Sequence, residues 1–238
     1  MNAWRVVYHF GTLVLTMKHQ KSILLLFLLL QPFLSGYAKD FEIKDFPILS
    51  KERLELTREY SKRHYNMDTY LLRPKIIVIH YTALSSLTFT LNTFKPAVIP
   101  DHREKIAPYG RLNVGVHFVV SPEGEPYSLL PTTVMGRHVT GYNHVSIGIE
   151  NVAATSDELT KEQIRQNAKL VAFLLKRHPE IEYLIGHHEY MHIRYPHYVY
   201  YTAHDKSYEP LIKVDPGFTF MRQLRDMLRK DYGIELKN

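Results

Sequence analysis

The chain alternates between short apolar runs and segments with apolar residues at helical spacing. Apolar runs rich in β-branched side chains predict strands, several of them buried on both faces. They lie at 76–80, 115–120, 126–130, 145–151 and 183–187. Apolar periodicity and capping residues predict helices near 50–60, 85–94, 160–178 and from Pro216 onward. This alternation predicts an α/β fold.

Two local signals are the most specific. Thr160 and Gln163 form a capping-box pattern at the start of the third helix, which Pro179 ends. The turn sequence Ser121-Pro122-Glu123-Gly124 separates two β-rich runs and predicts a hairpin. With 45% hydrophobic and 23% charged residues, the 238-residue chain has the composition of one ordinary globular domain.

Residues 1–38 are predicted to be a signal peptide. Lysines precede the apolar run 23–30, and small residues lead to a cleavage site after Ala38. The run is shorter than the ~20 residues of a spanning helix, and Pro32 interrupts it. We therefore expect a periplasmic or secreted protein without a stable membrane anchor.

The net charge and the absence of cysteine limit the possible binding partners and the possible chemistry. The formal net charge is +6, of which residues 1–38 contribute three cations and no anions, so +3 remains after cleavage. This mild excess argues against nucleic acid as a partner. There is no cysteine, which excludes disulfides, thiol nucleophiles and thiolate metal ligands. The sequence carries no signal for oligomeric state.

Ionisable residues stand where apolar runs end. His80, Glu150 and His187 each close such a run, and Asp215 precedes a predicted helix. Strand ends on one edge of a sheet can converge. Taken singly, each has an ordinary explanation, such as a solvated histidine or an N-cap aspartate.

Taken together, five segments resemble the type 2 family of zinc N-acetylmuramoyl-L-alanine amidases, relatives of the peptidoglycan recognition proteins. They are Ile79-His80-Tyr81-Thr82-Ala83, Val116-His117-Phe118-Val119-Val120, Ser146-Ile147-Gly148-Ile149-Glu150, Gly186-His187 and Asp215-Pro216-Gly217. The resemblance covers about residues 70–230. It implies a single-domain α/β (α+β) fold with a central mixed β-sheet flanked by helices. We expect an N-terminal extension at 39–70, which contains a helix, and a catalytic domain at 71–232.

The resemblance also implies roles for individual residues. His80, His187 and Asp215 would bind one Zn²⁺ and leave its fourth position open, as in catalytic zinc sites. Glu150 would be the general base, and Lys213 would stabilise negative charge on the reacting carbonyl oxygen. The substrate would be peptidoglycan or a muropeptide, cut between N-acetylmuramic acid and L-alanine.

Two further residues are predicted to contact the substrate. His138 and Asn143 fall where the family has a histidine-containing turn and a downstream asparagine that line the substrate groove. His117 is left out of the site, because a strand histidine usually bonds to neighbouring backbone or side chains.

The segment 188–212 departs from the family pattern. It separates His187 from Asp215 and is rich in tyrosine and histidine, so we expect an insertion loop. Its tyrosines would either stack on substrate or pack on their own neighbours. This loop and the loop 94–112 are the expected walls of the substrate groove.

The sequence is also compatible with two other functions. His188-Glu189-Tyr190-Met191-His192 matches the H-E-x-x-H pattern of zinc proteases, but that pattern needs a helix and Pro196 follows closely. The second alternative is a peptidoglycan-binding protein without activity, which the presence of all three ligands and Glu150 disfavours.

Overall fold

A computed structural model of the protein describes residues 42–100, 103 and 105–238. The predicted signal peptide lies outside these residues. The predicted fold is confirmed, because a mixed six-stranded sheet is flanked by helices and residues 43–238 form one unit. None of the described helices combines the length and the apolarity needed to cross a bilayer.

The sheet has the strand order β1-β4-β3-β5-β2-β6. All neighbouring strands are parallel except β3 and β4, which form the predicted hairpin. The strands are β1 Lys44–Asp45, β2 Ile76–Tyr81, β3 Phe118–Val120, β4 Pro126–Ser128, β5 Ser146–Asn151 and β6 Tyr183–Gly186. Strand β1 has only two residues and was not predicted.

Four α-helices accompany the sheet in the described residues. They are α1 Lys51–Tyr65, α2 Leu87–Phe94, α3 Lys161–Arg177 and α4 Phe218–Tyr232. The capping box of Thr160 and Gln163 is formed at the start of α3. Helix α1 runs further than predicted, to a left-handed cap at Asn66, because its last turn also faces the core through Tyr65.

The hairpin strands are shorter than the apolar runs that predicted them. Regular pairing covers only three residues on each side. Leu129 and Leu130, beyond the end of β4, pack instead in a core cluster with Val116 and Ile48. The apolar run therefore continues as buried core after the strand pairing has stopped.

The register of the parallel strands sets the position of the polar residues. β2 is paired on both sides, and Ile76 to Ile79 are fully buried, as the unbroken apolar run predicted. His80 lies opposite Glu150 of β5. Ile79 lies opposite Gly186 of β6, so His187 follows at the same edge of the sheet.

Helix α1, from the predicted N-terminal extension, is held in the core by a buried arginine. Arg53 is 2% exposed, and its guanidinium donates to backbone carbonyls rather than to a carboxylate. The acceptors are the carbonyl oxygens of Ile48, Phe94, Pro96 and Asn113. Burial lowers the pKa of Arg53 to about 10, which still leaves it charged at neutral pH. Arg53 thus ties α1 to both ends of the 94–112 loop.

Candidate active site

Three ligand atoms meet at the carboxyl edge of the parallel strands. His80 is on β2, His187 directly follows β6, and Asp215 lies in the segment before α4. The two histidine Nδ1 atoms are 2.9 Å apart. Asp215 Oδ2 lies 3.2 Å from His80 Nδ1 and 3.0 Å from His187 Nδ1. The structure therefore brings together the three residues predicted as metal ligands.

This triangle fits one zinc ion. Zinc bonds of about 2.0–2.2 Å to nitrogen and oxygen in a tetrahedral site place the ligand atoms about 3.3 Å apart. The observed separations are only slightly smaller, so a point within bonding distance of all three atoms exists. Among the described residues, His80, His187 and Asp215 are the group of side chains arranged to hold a metal. Three protein donors also leave one coordination position free.

The protonation states suit a metal. Burial, and then the neighbouring His80, lower the pKa of His187 to about 4, so its ring is neutral at pH 7. Burial raises the pKa of Asp215, but the His187 and His80 rings outweigh it and hold the pKa well below its usual range. A neutral imidazole and an ionised carboxylate are the forms that coordinate a cation.

His188 fixes the segment that carries Asp215. The backbone N–H of His188 donates to the Asp215 carbonyl at 2.8 Å, and its ring Nδ1 lies 3.1 Å from the same oxygen. Because a carbonyl oxygen only accepts, the Nδ1 atom carries the proton. His188 therefore positions a predicted ligand without facing the metal donors itself.

Glu150 stands beside this group with one unpaired oxygen. Its Oε2 atom is enclosed and has no hydrogen-bond partner, while the carboxyl borders a cavity of about 430 Å³. Burial raises the pKa of Glu150 to about 7, although His80, Lys213 and Arg103 favour its ionised form. A carboxyl with a pKa near the working pH is suited to accept and return a proton.

The two predicted loops form walls of this cavity. Phe94 and Ile106 line it from the 94–112 loop, and Tyr208 and Leu211 line it from the 188–212 loop. Tyr208 stacks on Tyr109 with ring centroids 4.1 Å apart, which joins the two walls. Lys213 and Arg103 also border the cavity. Arg103 was not predicted, since it lies in a loop sequence with no recognisable motif.

His138 and Asn143 differ in how far they reach the cavity. His138 is partly exposed on the cavity wall and lies 3.1 Å from His80 Nε2. Asn143 also borders the cavity but is 1% exposed, and its Oδ1 accepts the backbone N–H groups of His138 and Val139. Its Nδ2 donates to the Tyr60 hydroxyl. Asn143 thus supports the turn that carries His138, and substrate contact by either residue stays a prediction.

Most tyrosines of the 188–212 segment pack on their neighbours, as one of the two alternatives predicted. Tyr190 is 2% exposed and joins Tyr200 and Tyr201 in a core cluster with Tyr142. Tyr201 lies so close to Gly141 that a Cβ there would be 2.3 Å from its ring, which only glycine permits. Tyr208 is the tyrosine of this segment that lines the cavity.

The zinc-protease alternative is wrong. Residues His187–Glu189 form a single 3-10 turn, so His188 and His192 do not share an α-helical face. The Glu189 carboxylate is 4% exposed, accepts the Gly186 N–H and pairs with Arg225 at 2.6 Å. A glutamate engaged in this way has a structural role. His192 stacks on Tyr195, away from the three ligand atoms.

The chain is similar in sequence to a known protein family. The sequence model of the family described as N-acetylmuramoyl-L-alanine amidase, type 2, matches residues 70–209, more than half of the chain. The chain belongs to this amidase family. Asp215 and Lys213 lie just beyond the matched residues, so their assignment depends on the geometry above.

Individual relatives are more distant. The endolysin of Escherichia phage T7 is 32% identical over 94 residues, which are 37% of this chain and 59% of the endolysin. The match therefore spans less than two thirds of that relative. A solved structure of an AmpD selenomethionine derivative has 21% identity and a TM-score of 0.50, covering 79% of this chain and 94% of that chain. It supports the amidase fold.

A solved endolysin amidase, LysCS from Clostridium intestinale URNW, is 25% identical to this family member. It has a TM-score of 0.39 and covers 50% of this chain and 74% of that chain.

Replacing Glu189 with glutamine tests its structural role. We expect Glu189→Gln to lower the free energy of unfolding by about 2 kcal/mol, because Arg225 loses a buried ionic partner. The rate of peptidoglycan hydrolysis should be unchanged below the unfolding transition. Urea unfolding and a hydrolysis assay at 25 °C measure the two effects. Glu162→Gln, which removes an exposed carboxylate paired with Arg165, is the matched control. A variant with normal stability and no hydrolysis would instead make Glu189 the general base.

Proposed function

We propose that this amidase family member hydrolyses the amide bond between N-acetylmuramic acid and L-alanine in peptidoglycan or muropeptides, with one zinc ion. The observation that carries the proposal is the meeting of His80, His187 and Asp215 beside Glu150 at the wall of one cavity. The family membership gives the bond class, and the complete donor set favours catalysis over binding alone.

His80, His187 and Asp215 would hold the metal. When bound, zinc supplies Lewis acidity, which polarises an amide carbonyl and makes water a better nucleophile near neutral pH. The Glu150 carboxyl, at the cavity wall, takes the proton of the attacking water. The same carboxyl then delivers this proton to the departing nitrogen of L-alanine. The products are a muramic acid carboxylate and a peptide with a free L-alanine amine.

Lys213 is the cation available to the reacting carbonyl oxygen. It is half-buried at the cavity wall two residues before Asp215, and no ion pair with it is found among the described residues. An ammonium group placed where negative charge develops lowers the barrier more in a partly dehydrated cavity than in water. Lys213 would therefore stabilise the oxyanion formed on water attack.

The proposal extends to the cellular setting and the domain boundaries. Residues 1–38 would direct export and be removed after Ala38, leaving a periplasmic or secreted enzyme. The mature chain would consist of the 39–70 extension and the catalytic domain 71–232, with 188–212 as an insertion.

Digestion of purified peptidoglycan tests the reaction directly. The mature protein should release stem peptides with a free L-alanine amine, as identified by mass spectrometry. Removal of metal with a chelator should stop the release, and added Zn²⁺ should restore it. Glu150→Gln should reduce the rate by at least about 100-fold, because the proton acceptor is lost.

Other product patterns would contradict the proposal. Cuts between amino acids of the stem would indicate a peptidase, and full activity in the chelated protein would exclude the metal. Retention of muropeptides without any release would indicate a binding protein. Glu59→Gln, on the exposed face of α1, is the control for loss of a carboxyl outside the cavity.

The burial of Glu150 also predicts a pH-dependent cost in stability. Its pKa rises from 4.5 in the unfolded chain to about 7 in the folded metal-free protein. The folded protein favours the neutral carboxyl. The free energy of unfolding is therefore highest below about pH 4.5 and falls as the pH rises to about 7, where Glu150 ionises in the folded state. Glu150→Gln does not titrate, so its stability relative to wild type should increase by about 2 kcal/mol between pH 5 and pH 8. Urea unfolding in the presence of chelator measures this difference, and a constant difference across that range would contradict it.

A further inference from the structure

The second ring nitrogen of His80 also has a protein partner. His80 Nε2 lies 3.1 Å from Nδ1 of His138. On the other side of its ring, His138 Nε2 lies 3.4 Å from the carbonyl oxygen of Ser146 and 3.3 Å from its hydroxyl. A chain of hydrogen bonds thus leads from the metal donors through two imidazoles to the backbone of β5.

The direction of these bonds is set by the acceptors. The Ser146 carbonyl can only accept, and the Ser146 hydroxyl uses its proton on the Tyr142 carbonyl at 2.9 Å. The Nε2 atom of His138 is therefore the donor, which leaves its Nδ1 atom as an acceptor. His80 must then carry its proton on Nε2. Its Nδ1 lone pair is left facing His187 and Asp215.

The His138 ring is held against the strand from which Glu150 projects. A Cβ on Gly148 would lie 2.7 Å from His138 Nδ1 and 2.8 Å from its Cγ, so the ring rests directly on the backbone. Asn143 Oδ1 accepts the His138 backbone N–H at 2.8 Å. His117 Nδ1 accepts the Gly148 N–H at 3.0 Å, which helps to hold this part of β5. Because Gly148 has no side chain, the ring can approach the strand this closely.

We propose that His138 is a positioning residue that acts through His80. By accepting the Nε2–H, it holds His80 in the one tautomer and ring orientation that point a lone pair at the metal. This rests on the proposed metal site. It assigns His138 a role toward the protein's own ligand, in addition to any contact with substrate. Loss of such a partner typically weakens metal binding by about 10–100-fold.

Three variants separate this role from the alternatives. His138→Phe keeps a ring of similar size and removes the acceptor. His138→Asn places an amide oxygen near the position of Nδ1 and should restore the bond to His80. His144→Phe is the matched control, because His144 is a half-buried histidine packed on Tyr65, 4.5 Å between ring centroids, outside the cavity.

Zinc affinity is the first measurement, by competition with a chromophoric chelator at pH 7.5. We expect His138→Phe to bind zinc about 10–100-fold more weakly than wild type, and His138→Asn to recover most of the loss. His144→Phe should bind as wild type does. Unchanged affinity in His138→Phe would overturn the proposal, and a raised KM with unchanged kcat and zinc affinity would assign His138 to the substrate instead.

The tautomer of His80 is the second measurement and needs neither metal nor activity. Long-range ¹H–¹⁵N correlation spectra of the metal-free wild type should show the Nε2–H form, and His138→Phe should shift His80 toward the Nδ1–H form that donates to Asp215. A wild-type His80 in the Nδ1–H form would overturn the proposal. If wild type binds zinc but cleaves no muropeptide, the proposed function fails, while these two measurements still decide the role of His138.

Discussion

Parallel pairing of β2 with β5 and β6 is the constraint on which the site depends. It ends three strands at one edge and sets His80, Glu150 and His187 side by side. The apolar residues of these strands are buried, and His80, Glu150 and His187 lie at or just after the carboxyl ends of the strands. A shift of one residue in β2 would turn His80 to the other face of the sheet. The pairing of these buried strands therefore fixes the relative positions of the predicted metal ligands.

The site concentrates groups that would be costly to bury without a function. Two imidazoles and a carboxylate face one another, and a second carboxyl, Glu150, has an enclosed oxygen without a partner. Buried polar groups normally have hydrogen-bond partners, and unpaired ones lower stability. In the proposed function, a cation held by the three donors would offset part of this cost. The same burial that costs stability places the pKa of Glu150 in the range useful for proton transfer.

Residues outside the ligand set hold this arrangement in place. His188 binds the carbonyl of Asp215, and His138 bonds to the far side of His80. At a greater distance, Arg53 connects α1 to both ends of the 94–112 loop, and the Tyr109–Tyr208 stack joins that loop to the opposite wall. Helix α1 lies before the residues that match the family model, yet it packs as part of the same unit. The cavity walls thus depend on a segment that lies outside the residues matched by the family model.

Local patterns predicted the strands, the capped helices and the strand-end residues, because each depends on burial and capping within a short stretch of chain. The resemblance to the family supplied the combination of His80, His187 and Asp215. Contacts made by tertiary packing were out of reach: neither the carbonyl ligands of Arg53 nor the partner of His138 has a local signature. The H-E-x-x-H pattern shows that a local motif can also mislead. A 3-10 turn at His187 stands in place of the helix that the motif needs, and Glu189 pairs with Arg225.

X-ray diffraction from zinc-loaded crystals, recorded on both sides of the zinc absorption edge, tests whether one metal ion joins the three donors. We expect one anomalous peak per chain, at about 2.0–2.2 Å from His80 Nδ1, His187 Nδ1 and Asp215 Oδ2. A peak bound instead by His188 and His192, or no ordered zinc near His80, would contradict it.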